Sequence, residues 1–171
     1  TDATHRAANA RLASGQYFDL SDCDADHPFP VIAPDAAHPY AGIFDGVDGS
    51  TTLSSFTLRP GSGLCGLFGA NAGQILHVTL MSVTADATGC DCAGSLVGIN
   101  LPGATVSNCD DLNDSSTHAS GVLGYLVGRN EGVITASSVS AHSYMTDETF
   151  TASPTSAGGI AGTCEQGGSL A

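Results

Sequence analysis

Asp22, Asp24 and Asp26 alternate within SDCDADHPFP, residues 21 to 30, and an Asp-x-Asp-x-Asp run is how a calcium-binding loop opens. Such a loop needs Gly at its sixth position, for a sharp turn, and Glu at its twelfth, to complete the coordination. Here His27 holds the sixth position, Pro28 follows it, and no Glu stands at the twelfth. The three acids therefore read first as solvent-facing residues on a strand, with a low-affinity calcium site as the alternative and no other cofactor implied. CDDLND, residues 109 to 114, reads in the same way as a solvated acidic loop with a smaller claim on calcium. Six cysteines (Cys23, Cys65, Cys90, Cys92, Cys109, Cys164) admit fifteen full pairings. Cys90 and Cys92 are separated by one residue instead of the two of a zinc pair, and no second pair exists, so disulfides or buried thiols are expected.

Other catalytic chemistry finds little to work with. No two of the six His lie at i,i+4, and His77 sits in an alternating stretch, where a packed or surface residue is expected. Ser is abundant, but no Gly-x-Ser-x-Gly elbow occurs. Glycan cleavage by carboxylates with a basic partner would have to use Arg59 or Arg129, because there is no Lys, and Arg129 is expected to be exposed beside Gly128.

Composition narrows the partners. Asp and Glu number 17 against 4 Lys and Arg, for a net charge of −13. That charge repels nucleic acid and anionic membrane surfaces. No apolar run approaches the roughly 18 residues a membrane span needs. A chain of 171 residues is long enough for one domain with a real core. Frequent Gly, Thr, Ser and Val suggest many short strands joined by tight turns.

The strands are organised by a repeat. GLFGANAGQI starts at Gly66, SLVGINLPGATV at Ser95, YLVGRNEGVI at Tyr125 and GIAGTCEQGGSL at Gly159. Aligned on Gly69, Gly98, Gly128 and Gly162, they are 29, 30 and 34 residues apart. Two apolar residues precede each of these glycines. Two positions after it stand Asn71, Asn100, Asn130 and then Cys164, followed by a further Gly and by Ile75, Val106, Ile134 or Leu170. A strand–turn–strand unit of this size cannot bury its own apolar side, but stacked units share a continuous core. The motif glycines are expected to supply positive φ at aligned turns. Asn71, Asn100 and Asn130 would then stack as an amide ladder. About 30 residues at roughly 3.3 Å each suffice for one coil of a parallel β-helix. Coils about 4.8 Å apart put Cys65 within disulfide reach of Cys90 or Cys92, with Cys109 expected on the same side.

These motifs, in this order, resemble the GLUG-motif family of bacterial surface proteins, named for a Gly-Leu-aromatic/Val-Gly core. The resemblance extends upstream through LSDCD (20 to 24, with Cys23 where the family has Ile), FPVIA (29 to 33, with Phe29 for Trp), YAGIFDG (40 to 46) and TTLSSFTL (51 to 58). It spans about residues 16 to 170. It implies an all-β, right-handed parallel β-helix and an extracellular setting. The family also includes the amino-terminal regions of immunoglobulin-A-cleaving metallopeptidases, whose zinc site lies in another domain. No His-Glu-x-x-His occurs here, so that activity is not carried over.

The ends differ. Residues 3 to 13 place Ala7, Ala8 and Leu12 at helical spacing, with Gly15 just beyond, so residues 1 to 15 are expected to form a short capping α-helix and residues 16 to 171 the β-helix. The chain begins with Thr and its fourth repeat stops partway, as expected of a processed or excised segment or of a coil completed by another copy. The expected function is an extracellular, non-catalytic structural or adhesive module of a bacterial surface protein. The alternatives are a self-assembling head-to-tail filament subunit and a glycan-binding or glycan-cleaving β-helix. Expected partners are other copies, adjoining domains, or a host or environmental glycan or protein, with no nucleic acid and no membrane insertion.

Overall fold

The computed structural model describes residues 10–12, 17–24, 26–47, 51–59, 63–112, 116–119, 121–140, 156–165 and 168–171. Every described pairing is parallel, and the strands follow one another in passes of five. The first pass is incomplete, with β1 (Ala10–Arg11) and β2 (Tyr17–Asp19) followed by single bridges at Phe29, Ile32 and Tyr40. The second runs β3 (Ile43–Asp45), β4 (Thr51–Ser54), β5 (Thr57–Leu58), β6 (Gly63–Cys65), β7 (Phe68–Asn71). The third runs β8 (Gln74–Leu76), β9 (Val78–Met81), β10 (Thr84–Ala87), β11 (Cys90–Ala93), β12 (Val97–Asn100). The fourth runs β13 (Thr105–Ser107), β14 (Asp110–Leu112), β15 (Ser116–Ala119), β16 (Val122–Gly124), β17 (Val127–Asn130). The last has four described strands, β18 (Val133–Thr135), β19 (Ser138–Ser140), β20 (Ser156–Gly158) and β21 (Ala161–Cys164), and β22 (Ser169–Leu170) returns to pair with β18.

Corresponding strands of successive passes pair to give five sheets, the longest being β1-β3-β8-β13-β18-β22. The chain is thus a β-solenoid of about four turns, since the motif strands β7, β12, β17 and β21 are four successive layers of one sheet.

The repeat sets the register. Asn71 pairs with Asn100, Asn100 with Asn130 and Asn130 with Cys164, while Ile75, Val106, Ile134 and Leu170 align in the six-stranded sheet. Inside, Leu67, Phe68, Ile75, Leu80, Leu96, Val97, Leu126 and Ile134 are essentially fully buried. Each such side chain contributes about 1.5–3 kcal/mol by leaving water. The first pass is looser: its Leu12, Phe18, Leu20 and Phe29, with Phe44 of β3, are half-buried around a cavity of about 180 Å³.

Three expectations about local structure need correction. Ala10 and Arg11 pair with Phe44 and Asp45, and the Leu12 amide donates to the Asp45 carbonyl at 2.8 Å, so the capping helix does not cover these residues. Adding a strand to the sheet edge satisfies these backbone groups with inter-strand bonds, which overrides the helical spacing of three small or aliphatic residues. The rest of that expected helix lies outside the described residues.

Of the further glycines that follow each motif, Gly103 has positive φ (83°); the four aligned motif glycines lie within strands, not at turns, and none of them has positive φ. They are required by close approach. A Cβ on Gly98 would stand 2.7 Å from the Gly69 carbonyl oxygen and 2.8 Å from the Cys65 nitrogen; one on Gly128 would meet Ala93 N at 2.7 Å.

The alternating stretch from Ile75 to Val83 is two strands, broken by His77 at φ 55°. His77, Asn108 (φ 52°) and Ala136 (φ 47°) follow β8, β13 and β18 in turn. The His77 amide donates to Ser107 O and that of Asn108 to Thr135 O, so these left-handed residues stack as one corner column. A single residue in the left-handed region swings the chain between faces, at a cost of roughly 1–2 kcal/mol when it is not Gly or Asn.

Candidate functional site

The ladder is the most ordered polar feature. Asn71, Asn100 and Asn130 have no exposed surface. The Asn71 Nδ2 donates to Asn100 Oδ1 at 2.9 Å, and the Asn100 Nδ2 donates to Asn130 Oδ1 at 2.8 Å. The side-chain oxygens of Asn71 and Asn130 also accept the amides of Gly73 (3.0 Å) and Gly132 (3.3 Å), which shapes the turn after each motif. At the last layer the Asn130 Nδ2 donates to Ser169 O at 3.2 Å and faces Cys164 Sγ at 3.6 Å. Buried amides must be bonded, and stacking identical ones lets each rung complete the next.

Cys65 and Cys90 form a disulfide across adjacent passes, with Cα atoms 6.2 Å apart. A bulge chooses between the two cysteines of Cys-Asp-Cys: Cys90 lies opposite Gly63 but Cys92 lies opposite Leu64, so Asp91 is the extra residue. This places Cys90 with Cys65, Ala87, Ala93 and Leu123 in a second, smaller core, while Cys92 stays a free, buried thiol. Burial raises the Cys92 thiol pKa. Cys109 does not join this side. It is buried in the main core as a free thiol, its Sγ 3.5 Å from Ile75 O, and burial pushes its pKa up to about 12.

The charged candidates stay apart. Asp22 and its neighbours form a turn, not a strand, in which Asp24 Oδ1 accepts the amides of Asp26 and His27, both at 2.9 Å. Those amide bonds, that of His27 foremost, hold the Asp24 carboxyl below its usual value. Among the described residues no three His, Cys, Asp or Glu side chains gather as a metal-binding group. The acidic stretch from Cys109 is only partly solvated: Asp111 is buried in β14, Asp110 accepts from Ser138, and Asn113 and Asp114 lie outside the described residues. Arg129 is not free in solvent; it lies half-buried in β17 with its Nε 3.0 Å from Glu131. Arg59 pairs with Asp86 at 3.7 Å.

The structure adds two features that motif reading passed over. His77 Nδ1 lies 2.9 Å from Asp45 Oδ1, and Arg11 approaches the other oxygen at 3.8 Å. The His77 bond and the Val47 amide hold the Asp45 carboxyl below its usual value. Their separation of 32 residues, about one repeat, was the available signal. The second is the outer face of the six-stranded sheet. One column runs Ile43, Gln74, Thr105, Val133, Ser169, and the next Asp45, Leu76, Ser107, Thr135. Thr135 Oγ1 and Asn108 Nδ2 both donate to Ser107 Oγ at 2.9 Å.

Compared with family models, curated proteins and solved structures, the chain matches none of them.

Proposed function

We propose that this chain is a right-handed β-solenoid module of a bacterial surface protein, extracellular and non-catalytic, acting as a rigid spacer that presents an adhesive face. The observation that supports this most is the covalent link between neighbouring passes at Cys65 and Cys90, set beside a fully buried amide ladder. Disulfides persist in oxidising compartments, and a stapled, laddered stack resists local unwinding. The GLUG-motif resemblance points the same way.

The test is made on the protein in the cells that produce it. Protease applied to intact cells should remove it, and the recovered chain should carry the Cys65–Cys90 bond. Protection from protease, with all six cysteines reduced, would sink the reading. A second reading, head-to-tail assembly of copies, is favoured by the fact that, among the described residues, β1 and β22 are the two outer strands of the same parallel sheet. Negative-stain microscopy across a concentration series separates the two, fibres supporting assembly and isolated rods refuting it.

A further inference from the structure

We infer that the outer face of the six-stranded sheet binds a neutral, linear polysaccharide whose chain lies along the solenoid axis. This rests on the adhesive reading above and assigns its face and ligand class.

Charge comes first. The chain carries −13 overall, yet the two outward columns of this face hold a single carboxylate among the described residues, Asp45. Asp45 lies at one end of the face and is met there by His77 and Arg11. An acidic polymer would be repelled by the molecule as a whole; an uncharged one is not.

Size decides between a glycan and a second copy of this chain. The strip is about 10 Å wide, from strands of three residues, and about 24 Å long, from six strands about 4.8 Å apart. That is roughly 240 Å², far below the roughly 800 Å² per partner of a stable protein interface. A single extended sugar chain is about this wide, and its repeat is close to the spacing between strands.

The side chains suit it. Gln74, Thr105, Ser107 and Thr135 offer amide and hydroxyl groups at successive layers, and Leu76 and Val133 between them offer apolar surface to the C–H faces of the rings. Because Ser107 Oγ already accepts two hydrogen bonds, its own proton is left to donate outward.

The test is affinity electrophoresis of the whole chain through gels containing hydroxyethyl cellulose, galactomannan or neutral arabinoxylan, with polygalacturonate as the acidic counterpart. At least one neutral polymer should retard the protein, and polygalacturonate should not. Thr105→Glu should weaken retardation at least tenfold, while Ser140→Glu, on the neighbouring sheet, should leave it unchanged. The milder pair Gln74→Ala with Ser107→Ala, read beside its urea midpoint, should lose at least threefold and keeps the test decisive where Thr105→Glu disturbs folding.

Failure of every neutral polymer to retard the chain overturns the inference, as does equal retardation by polygalacturonate. Retardation untouched by the face variants moves the glycan elsewhere and removes this assignment. A concentration-dependent dimer abolished by Thr105→Glu would give the face to a second copy. Protease-sensitive display on intact cells without glycan binding would leave the surface-module reading standing and this one refuted.

Discussion

Removing the middle rung of the ladder tests whether the buried amides hold the passes together. Asn100→Ala deletes the acceptor of the Asn71 Nδ2 (2.9 Å) and the donor to Asn130 Oδ1 (2.8 Å) at a site with no exposed surface. Each stranded buried group costs about 1–3 kcal/mol. Both stranded groups keep a longer bond, Asn71 Nδ2 to Thr105 O at 3.4 Å and Asn130 Oδ1 from Gly132 N at 3.3 Å, which argues for the lower half of that range. The expected loss is therefore about 3 kcal/mol, read as a fall of about 1–2 M in the urea midpoint followed by far-UV circular dichroism. Asn100→Asp sharpens the test. A protonated carboxyl can still accept from Asn71 and donate to Asn130, so at pH 3.5 this variant should lie close to wild type measured at the same pH. Burial raises the folded-state pKa of that carboxyl, so it stays protonated in the folded chain while the unfolded chain ionises it. Its stability relative to wild type must then fall as pH rises above the ordinary carboxylate range, with the largest deficit at neutral pH. A shift below about 0.3 M for Asn100→Ala, or an Asn100→Asp deficit that is the same at pH 3.5 and 7, would refute the reasoning.

The glycine argument separates close approach from backbone freedom. Gly128→Ala, whose Cβ would lie 2.6 Å from Gly98 O and 2.7 Å from Ala93 N, should cost about 3 kcal/mol or more; Gly103→Ala, in open space at φ 83°, should cost about 1–2 kcal/mol by thermal unfolding. Ala136→Gly, at φ 47°, should stabilise the corner by about 0.5 kcal/mol, and a loss there would contradict the strain assigned to it. Thiol titration of the non-reduced chain in denaturant should count four free thiols, and native labelling should reach exposed Cys164 first and Cys109 last; six thiols would exclude the disulfide. Reducing that bond, which closes 25 residues, should cost about 3.5 kcal/mol on the chain-entropy account. Asp45 has a lowered folded-state pKa, so its contribution is present above the ordinary value of 3.8 and lost as pH falls below it; His77→Gln should flatten the acid limb of stability there, and an unchanged limb would dismiss the pairing.

The sequence by itself determined the layering. A Gly-x-Asn spacing that recurs every 29 to 34 residues can be satisfied only by stacking, and the aligned motif strands, the ladder, Cys164 at its end and the column from Ile75 to Leu170 all follow from that alignment. Periodicity carries this information because each layer repeats the environment of the last. Whatever depends on one place in three dimensions was decided by the tertiary structure alone. The bulge at Asp91 selected Cys90 over Cys92, because one extra residue in a strand turns the following side chains to the other face. Local composition gave no sign of which backbone the motif glycines touch, since Cys65 and Ala93 reach them from the preceding pass. Ala10 and Arg11 became a strand because an unpaired sheet edge lay beside them, and no local helical preference outweighs those inter-strand bonds.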